Sequence, residues 1–69
     1  MEIFCERIKS LRNERRIYQR EVAEYLGVTL RSYQSYESGQ SEPNLARLSA
    51  LADYFGVTTD YLLGRSDAR

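Results

Sequence analysis

The sequence predicts an all-α fold, a single domain of five short helices. Three observations carry this reading. Apolar residues recur at three- and four-residue intervals along most of the chain, the spacing of an amphipathic helix face. The four glycines each fall just past such a stripe, where a left-handed residue can close a helix. No stretch of useful length alternates apolar and polar residues, and no repeat or low-complexity tract interrupts the pattern.

Phe4, Ile8 and Leu11 stand at i, i+4 and i+7 and give a first helix over residues 2–14. Val22, Ala23 and Leu26 make a short second helix that ends at Gly27. Thr29 is a good N-cap for a third, Leu30 to Ser38, closed by Gly39 and followed by Pro43 in the next connection. Leu45, Leu48, Leu51, Ala52 and Phe55 trace the stripe of a fourth helix ending at Gly56. Thr58 can cap a fifth, Thr59 to Leu63, stopped by Gly64. The remaining residues 65–69, RSDAR, are polar and expected to fray or to begin a linker, so the domain proper is read as residues 1–64.

A chain of 69 residues is near the lower size limit for folding unaided. Cys5 is its only cysteine and it has no histidine, so neither an internal disulfide nor a histidine-bearing metal site is available. A lone thiol fits a reducing compartment, and Cys5, among Ile3, Phe4 and Ile8, reads as a half-buried structural residue. No apolar run is long enough for a signal peptide, and none approaches the ~20 residues of a membrane span. A cytoplasmic location is expected.

Catalysis finds no support. Without histidine there is no HExxH and no Cys–His or Ser–His pair, and the isolated glycines form no phosphate-cradling loop. No enzyme activity, metal or cofactor is expected. The ten basic and ten acidic residues cancel, but unevenly. Residues 1–31 hold seven bases and five acids, whereas residues 32–69 hold three bases and five acids. Positive charge is densest between Arg12 and Arg20.

Only Gly27, Val28 and Thr29 join the second and third helices. So tight a turn makes the two helices cross closely and steeply, which is the helix-turn-helix arrangement. The arrangement needs a small residue at the crossing, a residue tolerant of positive φ in the turn, and apolar anchors on both sides. Ala23, Gly27, and the set Val22, Leu26, Val28, Tyr33 and Tyr36 fill these roles. Tyr33 and Tyr36 are therefore read as core, with their hydroxyls reaching the surface, rather than as stacking residues. By helical geometry Leu30, Arg31, Gln34 and Ser35 can point away from those anchors.

The segment YQREVAEYLGVTLRSYQSYESGQSEP resembles the helix-turn-helix of the phage-repressor and Cro family, also called the XRE family. Gln19, Ala23, Gly27, Glu37, Gly39 and Pro43 carry the likeness, and LADYFGVTTDYLLG resembles the family's fourth-to-fifth helix segment. The likeness covers roughly Ile8 to Leu63 and places the motif at residues 19–38. It implies a compact five-helix, lambda-repressor-like domain that binds double-stranded DNA as a transcriptional regulator, most often a repressor. Leu30–Ser38 is then the helix that enters the major groove.

In the family, the positions matching Leu30, Arg31 and Ser35 are typical base contacts. Arg31 can pair bidentately with guanine, Leu30 can pack on a thymine methyl, and Gln34 can pair with adenine. Gln19 matches a glutamine that bonds a backbone phosphate. Arg20, Thr29, Ser32 and Gln40 are further phosphate candidates, none carrying sequence information directly. The resemblance makes Arg12 and Glu37 an internal ion pair between the first and third helices. Arg15 and Arg16 are either solvated loop residues or phosphate contacts.

Tyr18 departs from the family pattern, since a tyrosine cannot cap the second helix as Ser, Thr or Asn would. Zero net charge implies modest affinity for a monomer, so specific binding is expected from a homodimer reading two half-sites about 34 Å apart. Tyr54, Val57, Tyr61 and Leu63 are the candidate dimer surface, with Phe55 and Leu62 in the core. The rival reading is a helical protein-interaction module of the same fold that does not bind DNA; an antitoxin-type autorepressor is a variant of the first.

Overall fold

In the computed structural model, which describes residues 2–69, the chain forms five helices. They are α1 (Glu2–Glu14), α2 (Gln19–Leu26), α3 (Leu30–Ser38), α4 (Leu45–Phe55) and α5 (Thr59–Leu63), with no strand among the described residues. None is long and apolar enough to cross a membrane.

Side chains start three of them. Thr29 Oγ1 accepts from Ser32 N at 3.1 Å, Asn44 Oδ1 from Arg47 N at 2.8 Å, and Thr58 Oγ1 from Tyr61 N at 3.0 Å. Each bond satisfies an amide that has no partner inside its own helix. Tyr18 precedes α2 in an extended conformation and makes no side-chain cap.

The helix ends are equally specific. Gly27 takes φ 70°, and the bonds Gly27 N to Glu24 O (3.1 Å) and Val28 N to Ala23 O (3.0 Å) close α2 in a Schellman turn. α1 closes the same way without a glycine. Arg16 holds φ 56°, while Arg16 N reaches Asn13 O at 3.1 Å and Ile17 N reaches Arg12 O at 3.0 Å.

The core runs through all five helices: Phe4, Ile8 and Leu11 from α1, Val22 and Ala23 from α2, Tyr33 and Tyr36 from α3, Leu51, Ala52 and Phe55 from α4, and Leu62 from α5. α1 packs against α3 and α5, α4 against α2 and α5, and α2 most extensively against α3. The last contact matters most for function, because it fixes the angle at which α3 is presented.

Two expectations are corrected. Leu45 does not belong to the buried stripe of α4; as its first residue, directly after the Asn44 cap, it is 84% exposed. The packed stripe begins at Leu48. Val57 is buried rather than offered to a partner, since its amide bonds Ala52 O at 2.9 Å and folds it onto the core. Residues 65–69 form no helix or strand and make contacts with α1. Arg7 donates to the carbonyls of Tyr61 (2.5 Å) and Ser66 (2.7 Å) and to Asp67 Oδ1 (2.8 Å). Arg69 meets Glu14 at 2.8 and 2.9 Å.

Candidate nucleic-acid interface

α2, the turn at Gly27–Thr29 and α3 form one rigid corner. Val22, Ala23, Tyr33 and Tyr36 are buried within it, and Leu26 and Val28 are partly buried against the same core. Gly27 occupies the left-handed turn position, where a β-carbon would cost energy whatever the space around it.

Behind α3 lies a polar network centred on the one buried charged side chain among the described residues, Glu37, which is 4% exposed. Its Oε2 accepts from Arg12 Nε at 2.6 Å and from the Tyr33 hydroxyl at 2.5 Å. Its Oε1 accepts from an Arg12 guanidinium nitrogen at 3.1 Å and from Gln19 Nε2 at 3.1 Å. Each carboxylate oxygen thus receives two donors, which fills its lone-pair sites. Arg12 also donates to Ile17 O at 2.9 Å, so the same residue pins the α1–α2 turn.

Burial pushes the Glu37 carboxyl up, but the bonds from Arg12, Tyr33 and Gln19 outweigh it and hold the group below the usual carboxylate range. Burial, followed by the bond to Glu37, pushes the Tyr33 phenol far up, so it remains a donor. The Tyr33 hydroxyl accordingly does not reach the surface. The Tyr36 hydroxyl accepts from Arg47 at 3.3 Å.

The outward face of α3 is different. Leu30 is 41% exposed although it is apolar, and Arg31 and Gln34 are exposed beside it. Neither Arg31 nor the exposed Arg20 has an ion-pair partner among the described residues. Ser35 is half-buried, with its hydroxyl donating to Ser32 O at 2.6 Å and lying 2.5 Å from Ser41 Oγ. Thr29 and Gln40 are exposed, and Ser32 is half-buried at the start of the helix.

Gln19 sits deeper than a simple phosphate contact would. It is half-buried, gives one N–H to Glu37 and accepts from Gln34 Nε2 at 3.2 Å through its own carbonyl oxygen. Sequence reasoning did not find this Gln19–Gln34 link or the Tyr33–Glu37 bond. The signal for the second was available in the i, i+4 spacing of a tyrosine and a glutamate on one helix. A groove lined by Lys9, Arg12, Gln19, Gln34, Glu37 and Ser38 opens where α1, α2 and α3 meet.

This architecture has close counterparts. The helix-turn-helix family model matches residues 8–62, and the chain belongs to that family, in its phage-repressor and Cro-like (XRE) branch. The chain is 39% identical over 67 residues to YonR, an SPbeta prophage-derived HTH-type transcriptional regulator of Bacillus subtilis, covering 97% of this chain and 62% of the relative. It is 37% identical over 65 residues to RstR, the cryptic phage CTXphi transcriptional repressor of Vibrio cholerae, covering 94% of this chain and 59% of that one. Among solved structures, the P22 c2 repressor in complex with a synthetic operator superposes with a TM-score of 0.82 at 29% identity, over 90% of this chain and 94% of the other. The chain thus spans about three fifths of the length of these two regulators.

Proposed function

We propose that this chain is the DNA-binding domain of a cytoplasmic transcriptional regulator, a repressor, that inserts α3 into the major groove of an operator and binds two half-sites as a homodimer. The domain is residues 1–64 with its reading motif at 19–38, and it catalyses no reaction. The observation that carries this reading is the contrast between the two sides of α3. Its inner side is anchored by Tyr33, Tyr36 and a fully bonded Glu37. Its outer side exposes Leu30, Arg31 and Gln34, with the arginine unpaired among the described residues. An apolar side chain and an unpaired guanidinium presented side by side on one helix face suit base edges, the first against a thymine methyl and the second paired with guanine.

In this reading Leu30, Arg31, Gln34 and Ser35 face the bases. Arg20, Thr29, Ser32 and Gln40 meet phosphates, joined by the one N–H that Gln19 does not spend internally. The repressor assignment draws on the names of RstR and of the P22 c2 protein.

Amide chemical-shift mapping tests the placement. On titration with a mixed-sequence duplex at low salt, the amides of residues 19–20 and 29–40 should shift while those of α5 stay still. Shifts confined to α5 or to the α1 face, or none at all at millimolar duplex, would overturn it.

A further inference from the structure

The two arginines in the turn between α1 and α2 differ in what they touch. Arg15 lays its guanidinium over the ring of Phe55, 5.7 Å from the centroid, against a residue that is itself core. Arg16 is exposed, and among the described residues its side chain has no ion pair and no aromatic ring beneath it. Glu14, two residues before it, is taken by Arg69 through both carboxylate oxygens. Yet Arg16 is the one non-glycine residue with positive φ among those described, at 56°, a region that favours glycine and penalises a β-carbon. Its backbone is held there from both sides. Arg12 donates to Ile17 O at 2.9 Å, and Ile17 N donates back to Arg12 O at 3.0 Å. Arg12 is also bound to Glu37, so the turn carrying Arg16 is tied to the end of α3.

We propose that Arg16 contacts a DNA phosphate, extending the interface beyond the helix-turn-helix into the α1–α2 turn, and that Arg15 does not. A charged side chain that strains its backbone and pairs with nothing in the fold has its use outside the fold. Three chain steps separate Arg16 from Gln19, at most about 11 Å, and each DNA strand carries a phosphate about every 3.4 Å along the helix axis. With Gln19 on one phosphate, Arg16 is within reach of the next along the same strand. The clasp through Arg12 gives that contact a fixed place relative to α3, so the guanidinium is delivered without ordering a loop. The contact needs charge rather than a planar fork, and lysine can therefore replace it. The proposal rests on the DNA-binding reading above and adds an element that the motif does not contain.

Fluorescence anisotropy of a labelled mixed-sequence duplex, titrated over a series of salt concentrations with the wild type, Arg16→Gly, Arg16→Lys and Arg15→Ala, tests it. For Arg16→Gly the slope of log affinity against log salt should fall in magnitude by about 0.9 for each bound subunit. Arg16→Lys and Arg15→Ala should keep the wild-type slope. A thermal melt checks that each variant is folded, and Arg16→Gly should melt at least as high as the wild type, because glycine relieves the turn. Weaker DNA binding by a variant no less stable separates the contact from any part in folding. Wild-type affinity and slope in Arg16→Gly overturn the proposal. So does an equal loss of slope in Arg15→Ala, which would make the effect one of total charge rather than of place, or in Arg16→Lys, which keeps the charge. If the wild type binds no duplex even at low salt, the DNA-binding reading fails and this proposal fails with it.

Discussion

The Tyr33 hydroxyl donates to Glu37 Oε2 at 2.5 Å, one turn further along the same helix and inside the core. A neutral donor and a charged acceptor are thereby buried together, with Arg12 closing the pair from α1. A hydrogen bond to a charged group contributes about 1.5–3 kcal/mol. Tyr33→Phe, which keeps the ring and removes only the hydroxyl, should therefore cost about 1.5–3 kcal/mol in urea denaturation. A domain of this size has roughly 5 kcal/mol to lose.

The same carboxylate governs acid stability. Its folded-state pKa lies below the ordinary value, so its contribution is complete above the unfolded-state pKa of about 4.3 and is lost as pH falls through the lower folded value. Thermal melts should hold steady from neutral pH to about pH 5 as far as this group is concerned, then drop. Tyr33→Phe removes one of the bonds that depress Glu37, so its acid loss should begin at the same pH but be smaller and end at a higher pH. A variant whose acid limb is unchanged would contradict the assignment.

Arg16 occupies φ 56°, a conformation that costs a side-chain-bearing residue about 1–2 kcal/mol. Glycine recovers this and returns part of it through the greater freedom of the unfolded chain. Arg16→Gly should thus gain about 0.5–1 kcal/mol, seen as a higher melting temperature. Arg16→Val, β-branched at the same φ, should melt lower than the wild type.

Arg7 clasps the C-terminal residues through two backbone carbonyls and one carboxylate. One carbonyl, that of Tyr61, lies in α5 and the other, that of Ser66, just beyond it, whereas the Asp67 side chain is 99% exposed. Arg7→Ala should lower the urea midpoint, and Asp67→Ala should leave it where it was. Equal effects would mean that the exposed ion pair, not the carbonyl contacts, holds the tail.

Much of this was open to sequence reasoning, for identifiable reasons. α2, α3, α4 and α5 end in glycines that take positive φ, and Thr29 and Thr58 cap through local bonds, so their limits are written in a few adjacent residues. α1 ends on Arg16, whose identity carries no such mark, and only the fold holds it in the left-handed region. Leu45 fits the apolar period of α4 yet is exposed, because periodicity says which face a residue lies on and not how far along the helix its packing partners extend. The Gln19–Gln34 bond joins residues on two helices whose crossing angle the residues imply but whose side-chain reach they do not. Arg12 and Glu37 came from family likeness, since nothing in either residue's neighbourhood pairs positions 25 apart.

Leu30 separates reading from folding. It is 41% exposed on α3, whereas Leu51 is fully buried in α4. Leu51→Ala should cost about 2–5 kcal/mol, and Leu30→Ala should leave the melting temperature within a degree or two while weakening DNA binding. A destabilised Leu30→Ala would place that side chain in the fold rather than in the groove.

The central claim, that α3 reads DNA sequence, meets its most direct test at Arg31. Selection of binding sites from random duplexes should return a two-fold related pair of half-sites about 34 Å apart for the wild type. Arg31→Ala should then bind more weakly and accept any base at one G·C position in each half-site, with a discrimination loss of about 1–3 kcal/mol. Weaker binding with every base preference preserved would show Arg31 to be a phosphate contact and would contradict the account.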